Sequence, residues 1–208
     1  MVCHDEWFCQ CSMDKASLDK LREDIVFNET LCGQPLTFHT TWGLFSPREV
    51  DEGSKLLLQH LKVDEDADCL DLGCGYGALG LTIAKLAIKG QTVLVDKDFV
   101  AIDYAKKNAA LNKVENIDVL LSNGFDQIRD KQFDLVVSNI PAKVGNELMT
   151  LFFSDAYEQL RDNGKVVVVT INGLRGYIKR TFNEIFGNYK KVKQGKNYTV
   201  SMAAKISK

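Results

Sequence analysis

Four glycines fall within eight residues of the run Asp71-Leu72-Gly73-Cys74-Gly75-Tyr76-Gly77-Ala78-Leu79-Gly80. A short apolar stretch, Cys69–Leu72, precedes them and a helical pattern follows. Glycines between a strand and a helix permit a tight turn and let the main chain approach a ligand closely. A loop that needed only a left-handed residue would not carry glycines this densely. The run therefore points to a strand–turn–helix unit with a binding role at the turn.

The surrounding rhythm fixes the fold class. From Ala67 onward, strands are predicted at Cys69–Leu72, Thr92–Val95 (ending at Asp96), Ile117–Leu121, Phe133–Ser138 and Val166–Ile171. The last is a continuous apolar run of the kind buried on both faces. Helices fill the gaps: from the glycines to about Ile88, Phe99–Leu111, Leu148–Leu160 closed by Asn163-Gly164, and Gly176–Phe186 stopped by Gly187. Two strands, about Tyr189–Lys193 and Tyr198–Lys205, end the pattern around a Gly-containing turn. Alternation of this kind implies right-handed crossovers and a mostly parallel, doubly wound α/β sheet. The terminal hairpin implies one antiparallel strand at the sheet edge.

Upstream, Leu18, Leu21 and Ile25 at helical spacing predict a helix over 14–27, and Leu36–Thr41 alternates as a strand would. Ser46, Pro47 and Glu49 have the spacing of a capping box, which opens a helix running to about Leu61 with Val50, Leu57 and Leu61 on one side. The chain reads as an N-terminal extension with a helix over 1–35 and one domain over 36–208, and 208 residues suffice for a sizeable core.

The ligand at the turn is narrowed by acids. Gly75-x-Gly77-x-x-Gly80 also fits the dinucleotide fingerprint, and Asp96 stands about where that fold places its ribose acid. Spacing alone admits NAD or S-adenosylmethionine (AdoMet). A pyrophosphate at a helix N-terminus wants positive potential, which the carboxylate of Asp71 would oppose. A ligand carrying an ammonium and a sulfonium is compatible with it. Asp96 could accept hydrogen bonds from two ribose hydroxyls; the plainer reading is a solvated turn acid in Asp96-Lys97-Asp98.

Asn139, in Ser138-Asn139-Ile140-Pro141-Ala142, stands at the carboxyl end of a predicted strand, where ligands bind in open α/β sheets. Its amide oxygen and a neighbouring carbonyl could hold both protons of an exocyclic amine and turn the nitrogen lone pair toward an incoming methyl group. An Asn-x-Pro turn is the plainer alternative.

With these motifs in hand, residues Leu44 to Lys205 resemble class I AdoMet-dependent methyltransferases. They are most similar to the small-domain group that includes ribosomal RNA guanine-N2 methyltransferases. The resemblance rests on Gly43-Leu44-Phe45-Ser46 followed by Asp51 and Gly53, on Leu70–Gly77, on Asp96, on Ser122-Asn123-Gly124-Phe125 and on Ser138–Pro141. It implies a Rossmann-like seven-stranded sheet with the last strand antiparallel and helices on both faces. It implies that Asp71, Gly73, Gly75 and Gly77 line the methionine and ribose part of AdoMet, and that Asp96, with Lys97 beside it, meets the ribose. Asn123, with Gly124 and Phe125, would lie near the adenine, and Phe45 and Ser46 would close over the methionine end. Asn139, Ile140 and Pro141 would form the catalytic segment, with Asn139 also touching the cofactor. One departure bears on the substrate. The family's motif is usually Asn-Pro-Pro followed by a large apolar or aromatic residue, and Ala142 cannot stack on a base, a contact worth roughly 1–3 kcal/mol. Tyr198 or Phe45 are the rings available to replace it.

Composition sets the remaining expectations. No apolar run reaches the roughly 18 residues of a membrane span, and no secretory signal is recognisable, so a cytoplasmic protein with no membrane partner is expected. The net charge of −2 gives no whole-molecule basic field. Local basic groups exist: Lys190, Lys191, Lys193 and Lys196, and Arg175, Lys179 and Arg180. Six cysteines are expected as reduced thiols. Cys3-His4 and Cys9-x-Cys11 lack the usual zinc spacings and read as a tail, so no metal ligand is assigned. The expected substrate is an RNA base, ribosomal guanine N2 first. A methyltransferase for a protein amide or a metabolite, a nonenzymatic module with a retained pocket, and an NAD oxidoreductase stay open as alternatives.

Overall fold

The computed structural model describes Lys15, Asp19, Lys20, residues 23–141 and residues 143–207. Cys3, His4, Cys9, Cys11 and Ala142 lie outside the described residues. Strands β1 (Ile25–Leu31) and β2 (Gln34–Thr40) form an antiparallel hairpin, in register from Ile25 opposite Thr40 to Leu31 opposite Gln34. Cys32 (φ 50°) and Gly33 (φ 78°) make its turn, the left-handed pair whose twist matches that of the strands. The helix expected over 14–27 thus does not include its last three residues. Exposure alternates along β1, and Phe27 packs on Phe38 and Tyr76 with ring centroids 5.4 and 6.0 Å away. Lys15, Asp19 and Lys20 are helical; Leu18 and Leu21 lie outside the described residues. The hairpin spans the junction at residue 35.

The helix expected from Ser46 starts later. Ser46 has a left-handed backbone (φ 48°), unlike the extended one an N-cap adopts, and its hydroxyl donates to the Glu49 carbonyl at 2.7 Å. Residues 46–49 are a turn, braced by Tyr76, whose hydroxyl donates to the Glu49 carbonyl at 3.2 Å. Helix α1 (Glu52–His60) is instead capped by Asp51, which accepts from the amides of Gly53 and Ser54. Asp51 prevails because its carboxylate satisfies two end amides with charge, whereas Ser46 reaches none.

The remaining elements are β3 (Cys69–Leu72), α2 (Ala78–Leu86), β4 (Thr92–Asp96), α3 (Phe99–Leu111), β5 (Ile117–Leu121), β6 (Phe133–Asn139), α4 (Asn146–Gln159), β7 (Leu160–Ile171), α5 (Arg175–Phe186), β8 (Lys190–Gln194) and β9 (Tyr198–Ala204). The strands form one sheet in the order β5-β4-β3-β6-β7-β9-β8. The five from β3 to β7 are parallel, and β9 runs antiparallel to both β7 and β8. This is the Rossmann-like seven-stranded sheet with its last strand antiparallel. The antiparallel strand is not at the edge, however: β9 inserts between β7 and β8. Its apolar Val200 and Ala203 are buried, while every residue of β8 is exposed or half-buried. The more apolar strand takes the interior position.

The period of two along each strand divides the core. Cys69, Leu135, Val137, Val167, Val169 and Val200 face a cluster with Leu57 and Leu58 of α1, Leu79 and Ile83 of α2, and the hairpin. Leu70, Val136, Val166, Val168 and Ala203 face the opposite cluster with α4 and α5. Helices therefore cover both faces. No helix among the described residues is long and apolar enough to cross a membrane.

Two asparagines one turn apart, Asn108 on α3 and Asn112 at its C-cap, tie the hairpin to the domain. Asn112 accepts from the Thr37 amide at 2.9 Å and donates to its carbonyl at 2.7 Å. Asn108 treats His39 the same way, at 2.8 and 2.9 Å. Residues 37 and 39 point these groups away from β1, so the two amides stand in for a third strand along an edge that would otherwise be unpaired.

Candidate active site

The carboxyl ends of β3, β4 and β6 converge on a cavity of about 380 Å³. Its floor is the turn after β3. Gly73 (φ 77°) and Gly75 (φ 54°) hold left-handed backbones, and a methyl group on either would meet no atom within 4 Å, so both face open space. Gly77 (φ 95°) behaves differently. A methyl there would stand 2.3 Å from Leu81 and 3.4 Å from Leu94, so this glycine serves the seating of α2 against β4 and does not line the cavity.

Asp71 lies at the end of β3 with 1% of its surface exposed, and it lines the cavity. One carboxylate oxygen accepts from the Gly80 amide at 2.8 Å, at the first turn of α2. The other, Oδ1, has no partner among the described residues. Burial pushes this carboxyl up to about 7, nearby Asp96 adds to the rise, and the Gly80 amide opposes it. An acid this buried, half-satisfied and beside a cavity points to a cationic or donor ligand.

Asp96 braces the opposite wall. Its carboxylate accepts from the Gly75 amide at 2.9 Å and the Asp98 amide at 3.0 Å, which leaves lone pairs for a ligand and locks the glycine turn against β4. Lys97 lines the cavity beside it. Asn123 and Gly124 line the far end, where the Phe152 ring takes the space a Gly124 side chain would need. Phe125 does not line the cavity; it is 1% exposed and packs in the core beneath.

Asn139 ends β6. Its amide nitrogen donates to Asp51 Oδ2 and to Ser54 Oγ, each at 2.9 Å. Both amide protons are thereby used, and Oδ1 is the pole left for a ligand. Ile140 is buried and Pro141 exposed, both line the cavity, and the Ile140 amide donates to the Val169 carbonyl at 3.0 Å. Phe45 stands at the cavity, 66% exposed. Ser46 does not line it, being occupied in the 46–49 turn. Tyr198 does not line it either. Its hydroxyl donates to Asp51 Oδ1 at 3.0 Å, so its ring is not placed to stack on a base.

Sequence reasoning brought most of these residues to one place: Phe45, Asp71, Gly73, Gly75, Asp96, Lys97, Asn123, Gly124, Asn139, Ile140 and Pro141 share the cavity, and Ser46, Gly77 and Phe125 stand off it. It assigned no role to Asp51 and missed Ser54, Leu148 and Phe152, which also line the wall. A signal for the first two existed, since Asp51-Glu52-Gly53-Ser54 offers a helix cap as good as Ser46-Pro47. Among the described residues no group of side chains is arranged to hold a metal ion.

The model of the family described as methyltransferase small domain matches residues 35–202. The chain belongs to that family. Among members of known sequence, ribosomal RNA small subunit methyltransferase C of Erwinia tasmaniensis is 31% identical over 186 residues, covering 88% of this chain and 53% of that protein. The uncharacterized protein YbxB of Bacillus subtilis is 29% identical over 181 residues, covering 85% of this chain and 89% of its own length. Among solved structures, a T. thermophilus 16S rRNA N2 methyltransferase in complex with AdoMet and guanosine superposes with a TM-score of 0.79 at 28% identity, covering 88% of this chain and 50% of that one. The chain spans about half the length of the rRNA methyltransferases it matches.

Proposed function

We propose that this small-domain methyltransferase transfers a methyl group from AdoMet to the exocyclic amine of an RNA base, guanine N2 of ribosomal RNA. The observation that carries the reading is the Asn139 amide, pinned through its nitrogen so that its oxygen is the pole offered at the cavity. Likeness to enzymes named for rRNA supports the substrate.

The residues present fit AdoMet. The unpartnered Asp71 oxygen suits a cationic methionine moiety, the space above Gly73 and Gly75 admits a ligand against main chain, and Asp96 retains lone pairs for ribose hydroxyls. The sulfonium, when bound, supplies an electrophilic methyl group. Asn139 Oδ1 accepts a hydrogen bond from one N–H of the target amine, and the Ile140 carbonyl accepts from the other. Two such bonds orient the nitrogen lone pair, and methyl transfer depends chiefly on that orientation. The base must be unpaired or flipped out to reach the cavity. Phosphate contacts fall to the basic edge beyond β7: Arg175 at the start of α5 and Lys191 on β8 both reach Gln194, at 2.8 and 3.2 Å, so the two basic groups adjoin. The test is methylation of unmodified ribosomal RNA transcripts with labelled AdoMet, followed by nucleoside analysis. Label in N2-methylguanosine is expected, and absence of label from every nucleoside would overturn the reading.

Asp71 gives cofactor binding a pH dependence. A cationic ligand favours the carboxylate, so binding expels the proton that burial keeps on Asp71 below about 7. Affinity for AdoMet should therefore rise between about pH 6 and pH 8 and then level off. In the free protein the sign is opposite. Stability is fully present below the ordinary carboxylate range near 4 and declines as pH rises through about 7. Calorimetry in buffers of differing ionisation enthalpy checks the proton release, and Asp71→Asn should flatten the profile; the same slope in that variant would rule Asp71 out as the source.

A further inference from the structure

An asparagine amide is nearly symmetric in shape but not in chemistry, since one pole accepts and the other donates. Only the oxygen can accept a hydrogen bond from a target amine; the flipped amide would set donor against donor. The proposed reaction therefore needs something that fixes the flip. We propose that Asp51, steadied by Tyr198, is the positioning residue that sets which pole of Asn139 faces the substrate. This rests on the methyl-transfer reading above.

Three observations carry it. First, an ionised carboxylate is an acceptor only. Asp51 Oδ2 sits 2.9 Å from the Asn139 amide nitrogen, and it would repel the amide oxygen if the group turned over. Ser54, the other partner at 2.9 Å, has a hydroxyl that can donate or accept and so imposes no choice. Second, Asp51 is itself immobilised. Oδ2 also accepts from the amides of Gly53 at 2.8 Å and Ser54 at 3.3 Å, while Oδ1 accepts from the Tyr198 hydroxyl at 3.0 Å. Third, the packing leaves no slack. A methyl on Gly53 would stand 2.8 Å from Asp51 Oδ2 and 3.0 Å from the Tyr198 ring. The start of α1 and strand β9 thus converge on a residue at the end of β6. The chain brings them together across 88 positions between Asp51 and Asn139. The helix cap and the orientation of the amide are one device, which explains why α1 begins at Asp51 and not at Ser46.

Asp51→Ser tests this, because serine is an equally good helix cap but withdraws the carboxylate from Asn139 and leaves it hydroxyl partners that accept or donate. We expect AdoMet affinity within about twofold of wild type and a kcat on unmodified ribosomal RNA lowered at least about tenfold, the scale of a lost charge-assisted hydrogen bond. Tyr198→Phe should lower kcat less and in the same direction. A second substitution supplies the rescue. Asn139→Asp alone sets two carboxylates against each other, and adding Asp51→Ser removes one carboxylate and lets the Ser54 hydroxyl donate, with an oxygen left at the cavity. The double variant should recover turnover over Asn139→Asp alone; no recovery, or full kcat in Asp51→Ser, overturns the proposal. A substrate-independent readout separates it from its parent. In nitrogen-15 NMR of the full chain, the Asn139 side-chain protons should exchange slowly in wild type and at least about tenfold faster in Asp51→Ser. Equal exchange sinks the positioning role even if RNA is methylated. If wild type methylates no RNA, the substrate reading fails and the exchange rates still decide this one.

Discussion

Asn139→Ala is expected to leave AdoMet affinity unchanged and to lower turnover on RNA by about 10²–10³-fold, the usual cost of removing a preorganised polar group aimed at the reacting centre. The variant deletes the amide oxygen that the end of β6 offers to an amine. It disturbs little else. Asp51 keeps its bonds from Tyr198 and from the Gly53 and Ser54 amides, so neither the helix cap nor the carboxylate is stranded. The glycine turn keeps its own braces, Asp71 on Gly80 and Asp96 on Gly75. Binding and chemistry should therefore separate cleanly, with calorimetry against AdoMet giving one and labelled methyl incorporation the other. The rival account makes Asn139 a turn former ahead of Pro141. On that account the alanine variant would melt earlier and keep its rate per folded molecule. Turnover within about threefold of wild type, measured on folded protein, would remove Asn139 from the chemistry.

The second half of the fold was legible because local and global signals agree there. Phe99–Leu111 and Ile117–Leu121 have the bounds the periodicity predicts, and Gly187 ends α5 in a left-handed cap (φ 70°). The misread places share one cause, a choice between local options made by distant residues. Ile25 fits a helical spacing, but β2 is only a two-residue turn away and claims it as a strand partner. Ser46-Pro47 is a sound capping sequence, but Tyr76, thirty positions on, holds that segment as a turn by donating to the Ser46 and Glu49 carbonyls. Gly77 belongs to the same motif as Gly73 and Gly75, and there Leu81 and Leu94, which spacing does not reveal, fill the space a side chain would need. The cavity wall was readable because it is built from one contiguous turn and the ends of adjacent strands. Asp51 was not assigned because its partners, Asn139 and Tyr198, are 88 and 147 residues away.

Replacing Asn108 by alanine should cost about 3 kcal/mol of stability, a large share of what a domain of this size possesses. Asn108 is fully buried, and its amide is saturated by main chain. Oδ1 accepts from the His39 amide at 2.8 Å, and the nitrogen donates to the carbonyls of His39 at 2.9 Å and Tyr76 at 3.0 Å. Alanine leaves these three backbone groups without partners in a dry site, and each orphan costs about 1–3 kcal/mol before relaxation. Asn112→Ala removes a similar pair of bonds one turn further along α3, but from a half-buried position where water can replace it, so about 1 kcal/mol is expected there. Urea unfolding of the two variants measures the contrast, and equal losses would show that burial does not set the cost. The effect should reach the active site as well. Tyr76 lies inside the glycine turn, and its hydroxyl braces the 46–49 loop that follows Phe45. Releasing its carbonyl loosens the turn that carries Gly75, so Asn108→Ala should weaken AdoMet binding at temperatures where the protein is still folded. Asn112, whose side chain bonds Thr37 and Asn108 and not the glycine turn, should leave that affinity unchanged.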